Sequence, residues 1–221
     1  MFVTLEGIDR SGKSTQAALL AEALGPQTLL LREPGGTDAG ERIRALLKDP
    51  GVALNPGAEL LLFLAARSEL AASVIGPAKA AGRHIVCDRY IDSTVAYQGE
   101  LIGRLFADTD GHQGTALEIG MREIERMNAM IIGECLPDLT VLVRVTAELA
   151  AQRGQSRLDD GIEDGGDRFE GRGLAYQQTV ADAYDELARR HPDRVVVVDG
   201  DGDPDLVHHR VMAAVEERSA Q

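Results

Sequence analysis

The chain has 221 residues, 44% of them apolar and 27% charged, with a formal net charge of −13. That length suits one α/β domain with a sizeable core. The acidic balance excludes a general nucleic-acid binder, which needs a broad basic field, but it leaves room for a local positive pocket.

No apolar run approaches the ~20 residues of a membrane span, so no membrane partner is expected. The longest run, residues 60–66, is bracketed by Glu59 and Arg67. The N-terminus enters a strand at once, so no signal peptide is expected and cytoplasmic residence is the default. Cys87 and Cys135 form no C-x-x-C pair, which argues against a disulfide framework or a zinc site.

In chain order, the β-type run 2–5 leads into Gly7-Ile8-Asp9-Arg10-Ser11-Gly12-Lys13-Ser14, and residues 15–24 follow as a helix. This is G-x-x-x-x-G-K-[ST] between a strand and a helix, the setting of a phosphate-binding loop. Two glycines let the backbone curl so that successive N–H groups meet phosphate oxygens, and the helix adds the positive end of its dipole. Lys13 then reaches the β/γ-phosphates of a nucleotide such as ATP, and the Ser14 hydroxyl ligates Mg2+. Asp9 offers a carboxylate to a second substrate or a metal-bound water. Arg10 is either a built-in arginine finger for the transferring phosphoryl group or a solvated surface arginine.

Residues 28–31 form a second strand, ending in the turn Arg32-Glu33-Pro34-Gly35-Gly36-Thr37 where open α/β sheets bind ligands. A short helix at 39–47 and a long one at 58–81 follow, the latter kinked or ended near Gly76-Pro77. Phe63 and Arg67 share a face. The helical pattern alone favours a core ring with an arginine at its edge, although the pair would also suit a base.

A third strand at 84–87 runs into Asp88-Arg89-Tyr90, placing a metal-side carboxylate and a phosphate-bridging arginine at its end. Ser93, Thr94 and Tyr97 fall on the next helical turns. Residues 99–115 are polar and glycine-rich, and are expected to be a long loop. Residues 116–133 are an amphipathic helix whose Met121, Ile124, Met127 and Ile131 face the core or a subunit interface. A strand at 139–143 and a short helix at 147–153 precede the acidic stretch 154–166, expected to be a mobile lid (about 153–167). A helix at 167–190, a strand at 195–198 and a helix at 203–218 close the chain. The alternation predicts one α/β domain of phosphate-loop NTPase type, residues 1–221. Its doubly wound sheet has five parallel strands with helices on both faces and a short lid.

Several of these islands together resemble the thymidylate kinase family of nucleoside monophosphate kinases. They are the phosphate loop within residues 2–16, Arg32-Glu33-Pro34-Gly35-Gly36-Thr37, Leu61-Leu62-Phe63 through Arg67, Asp88-Arg89-Tyr90 through Gly99, Pro137-Asp138-Leu139-Thr140 and Asp167-Arg168-Phe169-Glu170. They span most of the chain. The loop is generic, whereas the REPGGT and DRY…AYQG segments are much more specific. The resemblance implies ATP- and Mg2+-dependent phosphorylation of dTMP to dTDP, by a homodimer.

The resemblance also implies roles. Gly7, Ile8, Asp9, Arg10, Ser11, Gly12, Lys13, Ser14 and Thr15, with the lid arginines Arg153 and Arg157, would hold ATP, and Ser14 and Asp88 would serve the metal. Asp9, Arg10, Lys13 and Arg89 would be catalytic. Glu33 and Pro34 would shape the acceptor pocket, Phe63 would stack on thymine, and Arg67 would bond its carbonyl edge. Arg89 would hold the acceptor phosphate and Tyr97 would sit near the sugar's 2′ carbon, with Ser93, Thr94 and Gln98 beside them. Three features depart from the family's pattern. Arg10 coexists with Arg153 and Arg157, Arg144 stands where an aspartate is expected, and the 99–115 region is long. A kinase for another monophosphate on the same scaffold, or a non-catalytic phosphate-loop relative, are the competing readings. No N-K-x-D guanine-recognition segment is present.

Overall fold

In β1 (Phe2–Glu6) all five residues are buried, and strand parity divides them between the two faces of a sheet. The computed structural model describes residues 1–106, 113–159 and 173–220, without the side chains of 157–159. The other strands are β2 (Leu29–Arg32), β3 (Ile85–Asp88), β4 (Leu139–Arg144) and β5 (Val195–Asp199). They form one parallel sheet in the order β2-β3-β1-β4-β5, as the alternation predicts.

Val3 and Leu5 of β1 join Val86, Val141 and Val143 against α1 (Lys13–Ala23) and α9 (Pro204–Ser219). The opposite parity of the same strands carries Phe2, Thr4 and Glu6, beside Cys87, Thr140 and Leu142. That second face is covered by α3 (Pro56–Leu70), α5 (Ile91–Phe106), α6 (Ala116–Ile132) and α8 (Gly173–Arg190). A polar seam runs through it: Thr4 bonds Thr140 at 2.8 Å, and Thr140 lies beside the buried Asp92 and its partly buried partner Arg194.

Two elements differ from the sequence expectation, and a third refines it. Helix α5 continues through Gly99 and Gly103 to Phe106, where a loop was expected. These glycines serve packing. A Cβ on Gly103 would lie 1.6 Å from the Ala116 carbonyl oxygen, and one on Gly120 would lie 1.7 Å from that of Gly99. Only bare backbone lets α5 and α6 approach so closely. Met121 and Ile124 of α6 are fully buried, while Met130 is 79% exposed.

Helix α3 ends at Leu70, and the helical course continues through a π turn (Ala71–Ile75) into α4 (Gly76–Ala80), so the irregularity expected near Gly76-Pro77 falls in the turn just before them. Pro77 has no N–H and its ring crowds the preceding turn, and the wider π turn accommodates both. Finally, α7 (Ala147–Asp159) runs through 154–159, the first part of the expected lid. The rest of the lid, and residues 167–170, lie outside the described residues.

Candidate active site

The strand ends converge on one cleft of about 380 Å³. It is built on the loop leaving β1, whose backbone bends at Gly7 (φ 143) and Gly12 (φ 95). A Cβ on Gly7 would meet the Val143 carbonyl oxygen at 2.6 Å, so that bend needs glycine. Helices α2 (Asp38–Lys48), α3, α6 and α9 each carry a side-chain N-cap, whereas α1 begins at Gly12 without one. The first-turn amides of α1 therefore face the cleft without a side-chain cap, as an anion site requires.

Lys13 lies beneath the loop, 6% exposed, with Nζ donating to the Ile8 carbonyl at 3.2 Å. Burial and the nearby Arg89 charge lower its pKa to about 8. Arg10, Gly12, Ser14 and Thr15 line the same cleft. Ser11 is buried, while Gly7 and Ile8 line a second cavity behind the loop.

At the end of β3, the Ser14 hydroxyl donates to Asp88 Oδ2 at 2.5 Å. Asp88 Oδ1 is buried with no hydrogen-bond partner among the described residues. Among the described residues no group of three or more His, Cys, Asp or Glu could hold a metal. One carboxylate and one hydroxyl suit Mg2+, which takes most of its ligands from phosphate and water.

Arg89 is the hub between the two halves of the cleft. Its Nη2 donates to Asp9 Oδ1 at 2.5 Å and to the Tyr97 hydroxyl at 3.0 Å. Its Nη1 donates to the Gly7 carbonyl at 3.2 Å, Ser93 Oγ at 3.0 Å and the Tyr184 hydroxyl at 3.4 Å. The guanidinium also lies 4.8 Å from the Tyr97 ring centre. Burial alone would raise the Asp9 pKa, but Arg89 and Lys13 overcome it and hold the carboxyl at about 2. Among the described residues, Arg10 (φ 63) and Arg89 (φ 69) are the non-glycine residues with left-handed backbone. Such strain concentrates at functional sites.

The other side of the cleft, read from the sequence as the acceptor side, is formed by the turn after β2 and by one face each of α3 and α5. Glu33, Pro34, Phe63 and Arg67 line it, with Thr94 and Gln98 opposite. The Glu33–Pro34 peptide is cis. Arg67 is 1% exposed and largely committed to the protein. Its Nε and Nη2 donate to Glu33 Oε2 at 2.9 and 2.5 Å, Nη1 to Asn128 Oδ1 and Nη2 to the Tyr90 carbonyl. Four of its five N–H groups are thus used by described partners. Burial raises the Glu33 pKa, and Arg67 opposes that shift. Gln98 Nε2 donates to the buried Glu59 at 3.0 Å, and Thr94 Oγ1 is buried without a described partner.

The sequence reading is placed as follows. The cleft gathers Asp9, Arg10, Gly12, Lys13, Ser14, Thr15, the acceptor-side residues and the Asp88–Arg89 pair. Arg153 does not line the cleft but braces the phosphate loop: Nη1 donates to the Ser11 carbonyl at 3.1 Å and Nη2 to the Gly200 carbonyl at 2.8 Å. The Arg157 side chain lies outside the described residues. Arg144 pairs with Asp185 of α8 on the surface. The cleft also holds Arg32, Arg44 and Lys48, which sequence reasoning missed. Arg44 donates to the Pro34 carbonyl at 2.8 Å, and its place on α2 directly after the REPGGT turn was the available signal. Also missed were Gln177, which donates to Asp9 Oδ2 at 2.9 Å, and the buried Glu6 and Tyr184.

The parallel sheet, the uncapped phosphate loop and the adjoining polar pocket define a phosphotransferase of the phosphate-loop class. Residues 5–211 match the family model described as thymidylate kinase. The thymidylate kinase of Chlorobium chlorochromatii is 39% identical, covering 99% of this chain and 95% of the relative. That of Jannaschia sp. is 41% identical, covering 100% and 98%. The crystal structure of thymidylate kinase from Ehrlichia chaffeensis superposes with a TM-score of 0.70 at 33% identity, over 98% of each chain. The chain belongs to the thymidylate kinase family.

Proposed function

We propose that the chain phosphorylates dTMP to dTDP, with ATP as donor and Mg2+ as the metal. The observation that carries this reading is the single cleft in which Lys13 of the phosphate loop and Arg89 face a polar pocket containing Phe63, Arg67 and Gln98. Phosphoryl transfer needs little covalent help, so positioning and charge neutralisation are the chain's task.

The α1 amides and Lys13 bind the donor phosphates. Ser14 and Asp88 would hold the metal, which would supply positive charge to offset that of the phosphates. Arg89 holds the acceptor phosphate, and Asp9 fixes the Arg89 guanidinium from the loop side. Phe63 stacks on the base, while Thr94, Gln98 and the remaining Arg67 N–H offer polar contacts to its edge. Arg10 stabilises the transferring group. Its position in the cleft, against the commitment of Arg153 to two backbone carbonyls, supports that choice. The chain works as a cytoplasmic homodimer, with exposed Leu61 of α3 and Met130 of α6 in the contact.

The test is ADP release with ATP and Mg2+, offering dTMP, dUMP, dCMP, UMP, CMP, AMP and GMP separately. A strong preference for dTMP is expected. Preference for another monophosphate would overturn the base reading, and no turnover with any acceptor would overturn the activity. Sedimentation of the purified chain tests the dimer.

A further inference from the structure

Glu6 is the last residue of β1, directly before the phosphate loop, and it is fully buried. Strand parity turns it away from α1 and toward α5 and α8, so it lies beneath the cleft and does not line it. It is a carboxylate in the core with every lone pair in use. Oε1 accepts from the Tyr90 N–H at 2.7 Å and the Ser93 N–H at 3.3 Å. Oε2 accepts from the Ser93 hydroxyl at 2.6 Å and the Tyr184 hydroxyl at 2.8 Å. Those two hydroxyls are the ones that meet Arg89 Nη1.

A hydroxyl has one proton to give. While Glu6 is ionised, Ser93 and Tyr184 both give theirs to Oε2 and turn lone pairs toward Arg89. A proton on Oε2 reverses this, because the carboxyl must then donate to one hydroxyl. That hydroxyl's own proton then turns either to the other hydroxyl, 3.0 Å away, or toward the guanidinium, and in both cases the negative charge facing Arg89 is lost. An amide has the same defect. With its nitrogen at Oε2 it donates to both hydroxyls, of which only one can pass its proton to the other, so the second turns toward Arg89; with its nitrogen at Oε1 it faces the Tyr90 and Ser93 N–H groups.

We propose that Glu6 is a positioning residue for phosphoryl transfer: through the Ser93 and Tyr184 hydroxyls it holds Arg89 toward the acceptor phosphate. The proposal rests on the reading of Arg89 as the acceptor-phosphate ligand. The charged and titratable groups around Glu6 are Asp92 of α5, Arg89 and Cys87 at the end of β3, Tyr184 of α8, Lys13 of α1 and Arg194 before β5. Burial, then Asp92, raise the Glu6 pKa to about 7 against the hydrogen bonds and Arg89. The orientation of Arg89 is therefore sensitive to pH near neutrality, and is secured on the alkaline side.

The experiment is steady-state kinetics from pH 5.5 to 9 on wild type, Glu6→Gln, Ser93→Ala/Tyr184→Phe, the triple variant and Arg89→Ala. For Glu6→Gln, kcat/KM for dTMP is expected to fall about tenfold, the loss of one hydrogen bond to a charged group, with KM for ATP within about twofold. Wild type is expected to lose kcat/KM for dTMP below about pH 7. That limb is absent in Glu6→Gln, whereas the second ionisation of the dTMP phosphate near pH ~6 persists in both.

Adding Glu6→Gln to the Ser93→Ala/Tyr184→Phe background is expected to cost no more than about another twofold, because the route to Arg89 is already cut. Wild-type kinetics in Glu6→Gln, an equal loss toward ATP and dTMP, or full additivity in the triple variant would overturn the proposal. If Glu6→Gln unfolds, the wild-type limb and the relay variant, which keep the carboxylate, still decide it. Arg89→Ala separates the two readings. Normal dTMP kinetics there defeat the assignment of Arg89, whereas a crippled Arg89→Ala beside a silent Glu6→Gln defeats only the role of Glu6.

Discussion

Arg67→Ala is expected to destabilise the protein before it affects ligand affinity. The Arg67 and Glu33 side chains are 1% and 3% exposed, and the guanidinium supplies both described hydrogen bonds to Glu33. Its removal leaves a buried carboxylate without its cation and takes donors from Asn128 Oδ1 and the Tyr90 carbonyl. Breaking a buried pair from one side costs about 3–5 kcal/mol. For a chain of this size that lowers Tm by about 6–20 °C. The sign of the pH dependence follows from Glu33. Its folded pKa is already raised by burial, and loss of Arg67 removes the opposing influence. A raised carboxyl pKa contributes stability that is present at low pH and lost as pH rises through the folded value. The deficit of Arg67→Ala is therefore smaller at pH 5 than at pH 8. Urea unfolding at both pH values measures it, and Arg67→Ala/Glu33→Gln is expected to recover part of the loss at pH 8. A wild-type midpoint for Arg67→Ala at both pH values, with only KM for dTMP raised, would refute the reasoning and make Arg67 a ligand arm rather than a brace.

Gly120→Ala is expected to cost about 3 kcal/mol and to lower Tm by about 6–12 °C, because its Cβ would overlap the Gly99 carbonyl at 1.7 Å; an unchanged Tm would show that α5 and α6 have room to separate. Lys13 is about half neutral at pH 8, so bound phosphate is expected to draw in about half a proton per ATP. Calorimetry in buffers of different ionisation enthalpy reads this uptake, and buffer-independent heats would contradict it. Arg10→Ala is expected to lower kcat by about 10³ or more while leaving Tm unchanged. Arg153→Ala, which loses bonds to the Ser11 and Gly200 carbonyls, should mainly weaken ATP binding. A larger kcat loss in Arg153→Ala would exchange their roles.

The strands were legible because their signal is local. Residues 2–5 and 139–143 are apolar except for Thr4 and Thr140, with apolar residues on both faces, as suits a strand buried between helix layers. Gly99 and Gly103 were misread for the same reason that made the strands easy. Composition reports what a residue disfavours locally, and glycine disfavours a helix by about 1 kcal/mol. Contact between α5 and α6 outweighs that penalty, but it joins residues that propensity treats independently. Helix α7 overran its expected end for a related reason, since Gly154 is buried where the Arg10 guanidinium packs. A Cβ there would meet Arg10 Nη1 at 2.3 Å.

The site divides along the same line. Residues proposed to touch phosphate sit in short motifs, because a loop of fixed length must present several groups to one anion. Lys13, Ser14, Asp88 and Arg89 were readable on that account. The residues that aim them come from distant elements. Glu6 precedes the motif, Tyr184 and Gln177 lie on α8, and Arg89 gathers its partners across separations of up to 95 residues. Spacing along a sequence cannot reveal such partners, and a buried acid at a strand end looks like an ordinary strand boundary. Strand parity was the one available signal. Glu6 shares a face with Phe2 and Thr4, so it points into the packed side of the sheet. A carboxylate committed to that side needs several donors before the fold is stable. The donors it recruits are the hydroxyls that meet Arg89, which couples the stability of the core to the geometry of transfer.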